Sequence, residues 1–257
     1  MGLSLASVVR GPGEVAAMSW DVAKLTFTTR FQTREFVEQA WFVARVTMLP
    51  TILVSIPFGA VIALQVGNLT GQLGAQSFAG ATAVLATVRE AAPIAAALII
   101  AGAAGSAICA DMGARKMREE IDAMETLGID PIQRLVVPRA VATLVVSVLM
   151  ISIVIAAGIA GGYYFTVIVQ GGSAGAFLAS FTSLATLTDL YVAFIKAAIF
   201  GFMAAIVGAY KGLSAAGGPA GVGRAVNESV ILAFMLLFMV NSIITALYFQ
   251  LVPQAGL

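Results

Sequence analysis

Residues 140–169 read AVATLVVSVLMISIVIAAGIAGGYYFTVIV and contain no charged side chain. About 20 apolar residues cross the hydrocarbon core of a bilayer, so this stretch alone suffices to span one. Its peptide groups would find no water there, which restricts it to a helix, and the alternation of a barrel strand is absent. Similar runs occur at 46–66, 91–110, 190–210 and 229–249. The second reads as starting near Phe78, and the fourth holds Lys196, the one charge inside these windows. The sequence therefore predicts an all-α polytopic membrane protein with five transmembrane helices.

Composition supports lipid as the main solvent. Of 257 residues, 60% are apolar and 11% charged, with a mean hydropathy of +0.99, far from the soluble balance. The net charge of +1 is confined to short segments, which excludes nucleic acid as a partner. A single cysteine, Cys109, allows no disulfide within the chain and no thiol-metal cluster. The absence of histidine removes the usual catalytic base and the commonest metal ligand. No removable leader is read at the N-terminus.

Lysine and arginine alternate with the spans. Arg10, Lys24, Arg30, Arg34 and Arg45 precede the first span. Arg115, Lys116, Arg118, Arg134 and Arg139 lie between the second and third, and Lys211 and Arg224 between the fourth and fifth. Segments 67–77 and 170–188 carry none. The positive-inside rule then puts the N-terminus in the cytoplasm and the C-terminus outside, in an inner (cytoplasmic) membrane. The chain divides into a cytoplasmic N-terminus with an interfacial amphipathic helix over 1–45, a five-span domain over 46–250 and an external tail over 251–257. The interfacial helix is read from Trp20, Leu25, Phe27, Phe31, Phe36, Val37, Trp41 and Phe42, which alternate with charges as in a helix lying at headgroup level; a solvated helix packed on a partner fits the same pattern. Phe177, Leu178, Phe181 and Leu184 predict a short helix on the outer surface.

The segment MREEIDAMETLGIDP, 117–131, predicts a capped cytoplasmic helix at about 117–130. Met117, Ile121, Met124 and Leu127 form an apolar stripe, with Glu119, Glu120, Asp122 and Glu125 on the other faces. Gly128 suits a left-handed C-cap and Pro131 stops continuation. Such an element either lies on the membrane or docks into the groove of a cytoplasmic partner.

The run VREAAPIAAALIIAGAAGSAICADMG at 88–113, followed by EEIDAMETLGIDP at 119–131 and LVVPR at 135–139, resembles the MlaE/YrbE-type ABC transporter permeases, as do DLYVAFIK at 189–196 and AGVGRAVNESV at 220–230. The resemblance covers about 49–249. It implies a permease for a lipid, sterol or fatty acid, a coupling helix at 119–127, two permeases (a second copy or a paralogue) with a cytoplasmic ATPase dimer, and Mce-domain lipid-binding proteins as partners. Where family members often carry a basic residue, this chain has Ala103, which removes that position as a lipid contact. The ATPase-coupling residues are then Glu119, Glu120, Ile121, Asp122, Met124, Glu125, Leu127 and Gly128.

The chain has no GxxxxGK[ST] phosphate cradle and no nucleophile beside a base. ATP and Mg are thus expected in a partner ATPase, with no cofactor, no metal site and no catalytic residue in this chain. Arg89 and Asp189 each lie 22 residues from a cytoplasmic marker, Asp111 and Lys211 respectively, which is about 33 Å of helix. Lys196 falls two turns from Asp189 on the same face, so Arg89, Glu90, Asp189 and Lys196 are candidates for one charge cluster on the substrate pathway; an ion-pair network joining two spans explains them equally well. Small residues at Ala101, Gly102, Gly105 and Ser106, and at Gly158, Gly161 and Gly162, suit close helix packing, either within one subunit or at a dimer seam. An ion-coupled secondary transporter and a non-transporting scaffold are the competing functions. Few acidic residues lie deep in the spans and matched broken helices are not evident, which disfavours the former.

Overall fold

A computed structural model describes residues 5–28, 32–74, 79–184 and 186–251, with side chains at all of these except 5–12 and 180–184. They form α1 (Leu5–Thr28), α2 (Thr33–Gln72), α3 (Ala79–Met117), α4 (Glu120–Thr126), α5 (Ile132–Val169), α6 (Ala174–Leu184), α7 (Leu187–Leu213) and α8 (Pro219–Leu251). No strand occurs among the described residues. The five long apolar helices α2, α3, α5, α7 and α8 are the five expected spans, and they identify an integral membrane protein. Phe78, Phe31 and most of the C-terminal tail lie outside the described residues.

The helices overrun the apolar windows. At 39 residues, α3 is about 58 Å long, twice the hydrocarbon thickness. No glycine or proline falls between Thr33 and Leu49, so nothing stops the helix before the first span. Phe36, Trp41 and Phe42 consequently sit on the same helix as that span, and only α1 is a separate N-terminal element. Pro50 and Pro57 lie inside α2 without ending it, because a broken helix in lipid would leave peptide groups unsatisfied. Among the described residues, four π-helical turns occur, two in α3 (Thr87–Ala91 and Ile100–Gly105) and two in α5 (Ile132–Val136 and Tyr164–Val169).

The chain forms two compact units. The first contains α1, α2 up to Ala44, Ile100–Val146 and the chain from Phe200. In it α3 meets α7 through backbone contact: a Cβ on Gly208 would stand 2.5 Å from the Gly105 carbonyl oxygen, and one on Gly212 would stand 2.6 Å from that of Cys109. A Cβ on Gly113 would stand 3.0 Å from the Val222 side chain of α8. Val15 and Val22 bury one face of α1, and the Tyr210 hydroxyl donates to the Glu14 carboxylate. Trp20 and Phe27 remain exposed.

The second unit contains Arg45–Ile99 and Ser147–Ile199. Here α2 crosses α5 so closely that a Cβ on Gly59 would strike the Gly158 carbonyl, and one on Gly161 that of Ile56. Gly105, Gly158 and Gly161 thus serve packing within one subunit, whereas a Cβ on Gly102 would meet nothing within 4 Å. Ala92, Ala95 and Ala96 of α3 pack with Ile151 and Val154 of α5 and with Ala193 and Ala197 of α7. The helix expected on the outer surface exists as α6; its Phe177 is buried against Val84 and Val88 and meets Tyr163 edge-on, ring centroids 5.5 Å apart.

Candidate functional site

Arg89, Glu90, Asp189 and Lys196 come together in the second unit. The first π-turn of α3 carries Arg89 and Glu90, and the start of α7 carries Asp189 and Lys196. Arg89 donates from Nε (2.9 Å) and Nη2 (2.7 Å) to Asp189 Oδ1. The other oxygen, Oδ2, accepts from the Thr186 amide at 3.0 Å and its hydroxyl at 2.8 Å. Thr186 is therefore the N-cap of α7, and Asp189, three residues on, completes a reciprocal capping pair. The same carboxylate caps its own helix and anchors a second one; Thr186 carries no charge, and the sequence reading missed it.

Lys196 Nζ donates to Glu90 Oε1 and to the Arg89 carbonyl, each at 3.1 Å. Proline has no N–H, so Pro93 offers nothing to the carbonyl four residues earlier, which is that of Arg89, and the ammonium donates there instead. Side-chain exposure is 0% for Asp189, 1% for Lys196, 14% for Arg89 and 35% for Glu90. The cluster carries no net charge, its cations are held within the protein, and Glu90 is its most accessible member.

In the first unit, the capped elbow follows α3 directly. Met117 ends α3, Glu119 is left-handed at φ 58°, and α4 begins at Glu120. Gly128 has φ 72°. Its amide donates to the Glu125 carbonyl (3.0 Å) and that of Ile129 to the Met124 carbonyl (2.9 Å), the paired bonds of a Schellman cap. Asp130 Oδ1 then accepts from the Ile132 amide at 2.8 Å, capping α5 with Pro131 in its first turn. Of the expected stripe, Ile121 is buried, Met124 half-buried, and Met117 and Leu127 exposed. Arg118 Nε donates to Glu120 at 2.7 Å, Arg115 approaches Glu120 at 3.5 Å, and Lys116 lies 3.7 Å from Asp122. The hydrogen bond from Arg118 holds the Glu120 carboxyl below the usual carboxylate range. Glu120 and Asp122 thus fasten α4 to the end of α3, and Glu119 and Glu125 are exposed.

A second charged node lies near the elbow. Arg139, 2% exposed, donates from Nη2 to Asp111 Oδ2 at 2.7 Å and from Nη1 to the Leu135 carbonyl at 2.8 Å, with Glu35 at 3.6 Å. Arg115 pairs with the same Asp111 at 3.2 Å. The sequence reading used Asp111 and Arg139 only as markers of the cytoplasmic side, although both fall in the motifs that carry the family resemblance.

Residues 36–247 match the family described as Permease MlaE. The chain is similar to a probable ABC transporter permease protein of Rickettsia typhi, 34% identical over 203 residues, covering 79% of this chain and 78% of that one. A probable ABC transporter permease protein of Synechocystis is 31% identical over 221 residues, covering 86% and 84%. Another, from Pyropia yezoensis, is 27% identical over 223 residues, covering 87% and 85%.

Proposed function

The chain belongs to the MlaE permease family, and from that premise we propose that it is the membrane subunit of an ATP-driven transporter of a phospholipid, fatty acid or sterol. A cytoplasmic ATPase dimer binds ATP and Mg and supplies the work. A second permease completes the pathway, and Mce-domain proteins exchange lipid on the outer side. The N-terminus and the elbow face the cytoplasm and the C-terminus faces out, in keeping with the loop charges.

The observation that carries this reading is the build of the elbow. Ile121 is buried while Leu127 is exposed at 76%, so one end of the apolar stripe holds α4 to the chain and the other is presented outward. Salt bridges bind α4 to α3, and the Schellman and aspartate caps bind it to α5. A displacement imposed on α4 therefore passes to two spans. Within the second unit, Glu90 presents the charge cluster to a passing headgroup, and Lys196 acts by positioning it.

Purification of the permease with its ATPase from a native-like bilayer tests the proposal. Leu127→Asp or Met124→Asp releases the ATPase and abolishes lipid-stimulated ATP hydrolysis, because buried apolar anchors dominate such interfaces. Glu125→Gln weakens coupling only modestly, as exposed pairs contribute roughly 0 to 1 kcal/mol. Intact, fully active complexes of both aspartate variants would remove α4 as the coupling element, and a chain that never co-purifies with an ATPase would favour the scaffold reading.

A further inference from the structure

Gln39 and Phe42 of α2, Ala107, Ile108, Asp111 and Arg115 of α3, and Arg139 of α5 enclose a half-open cavity of about 250 Å³ in the first unit. Its floor is the Arg139–Asp111–Arg115 node, with Glu35 beside Arg139. Burying a guanidinium costs several kcal/mol unless it is closely paired. Asp111, which supplies the short pairing, is 40% exposed, and Glu35 and Arg115 are 31% and 32% exposed. The node is therefore neutralised yet open on one side, and the two accessible charges that line the cavity, Arg115 and Asp111, are of opposite sign. Phe42, Ala107 and Ile108 add an apolar wall.

We infer that this cavity binds the headgroup of a zwitterionic phospholipid of the cytoplasmic leaflet, a phosphate paired with an ammonium. A plain anion would gain from the Arg115 guanidinium but meet the Asp111 carboxylate. A group carrying both signs satisfies both, with phosphate toward Arg115 and ammonium toward Asp111. The apolar wall receives the first methylenes of the lipid. Placement in the cytoplasmic leaflet rests on the orientation proposed above, whereas the preference for a zwitterion rests on the cavity alone.

Native mass spectrometry of the detergent-purified permease, titrated with phosphatidylethanolamine, phosphatidylglycerol or water-soluble phosphoethanolamine, tests this without ATPase or transport. Wild type retains phosphatidylethanolamine about tenfold better than phosphatidylglycerol, the size expected from one charge-assisted hydrogen bond. Asp111→Asn erases the preference, Arg115→Gln weakens both lipids, and Gln39→Trp fills the cavity and abolishes binding without removing a charge. Soluble phosphoethanolamine competing as well as the lipid would assign the site to a free phosphoester rather than to a membrane lipid and overturn the lipid assignment. Equal retention of the two lipids by wild type, or an unchanged preference in a folded Gln39→Trp, overturns the proposal. If Asp111→Asn fails to fold, the Arg115→Gln and Gln39→Trp results decide it. Loss of ATPase coupling with the lipid preference intact would count against the transport reading and leave this one standing.

Discussion

Lys196 is an ammonium almost wholly removed from solvent, where the Glu90 carboxylate and the Arg89 carbonyl accept from it. Removing one member of a buried ion pair strands the other, at about 3–5 kcal/mol. Arg89→Ala, which strands the fully buried Asp189, is expected to cost that much in thermal unfolding of the purified chain. Lys196→Ala is expected to cost less, because Glu90 is partly exposed and recovers hydration. Combining Lys196→Met with Glu90→Gln should restore part of the loss; a double variant no more stable than Lys196→Ala would show that the pairing is not what holds the site. The elbow offers a backbone counterpart. A left-handed residue with a Cβ costs about 1–2 kcal/mol, so Glu119→Gly should be neutral or stabilising by about 1 kcal/mol. Gly128→Val should be destabilising although nothing lies within 4 Å of its Cβ position, since the penalty there is conformational. Hydrogen exchange of the 117–131 amides measures both, and protection unchanged in Gly128→Val would contradict the cap.

Helix crossings obey a similar local rule through different atoms. Any side chain on Gly208 meets the carbonyl of Gly105, and main chain cannot retreat as a side-chain tip can. Gly208→Ala should therefore cost about 1–3 kcal/mol, whereas Gly102→Ala should be neutral or gain up to about 1 kcal/mol of helix propensity. Thermal melting in detergent distinguishes them, and size-exclusion chromatography checks Gly102, since a lost dimer there would place that residue at a seam between copies. The five spans were legible because their apolar runs exceed what any soluble element needs. Their true ends were not, because a helix such as α2 runs past both ends of its apolar window, back to Thr33 and on through Gly67 and Gly71 to Gln72, so neither hydropathy nor glycine marks where it stops. The π-turns were also hidden, because the apolar pattern of α3 and α5 does not mark them. The charge quartet was legible in part, since four ionisable groups near one depth must find one another in lipid. The capping role of Thr186 was legible in its Thr-x-x-Asp spacing before an apolar run and was overlooked, whereas the closure of Arg139 over Asp111 depends on tertiary geometry that spacing does not encode.

For the whole molecule, the orientation proposed above rests on the loop charges, and cysteine labelling in intact cells tests it. A cysteine introduced at exposed Leu127 should resist an impermeant thiol reagent, whereas one at Leu257, outside the described residues, should react. The native Cys109 is buried and should give no background; the reverse labelling pattern would invert the topology. The contact between Lys196 and the Arg89 carbonyl also bears on how this sequence can change over time. The lysine donates to a carbonyl to which the proline at 93 offers no N–H, so substitutions at the two positions are epistatic. A neutral drift from proline to alanine at 93 would return a peptide donor to that turn and so lower the cost of a later loss of the lysine at 196. The order of mutation, and not the pair alone, then decides which descendants of this chain still fold.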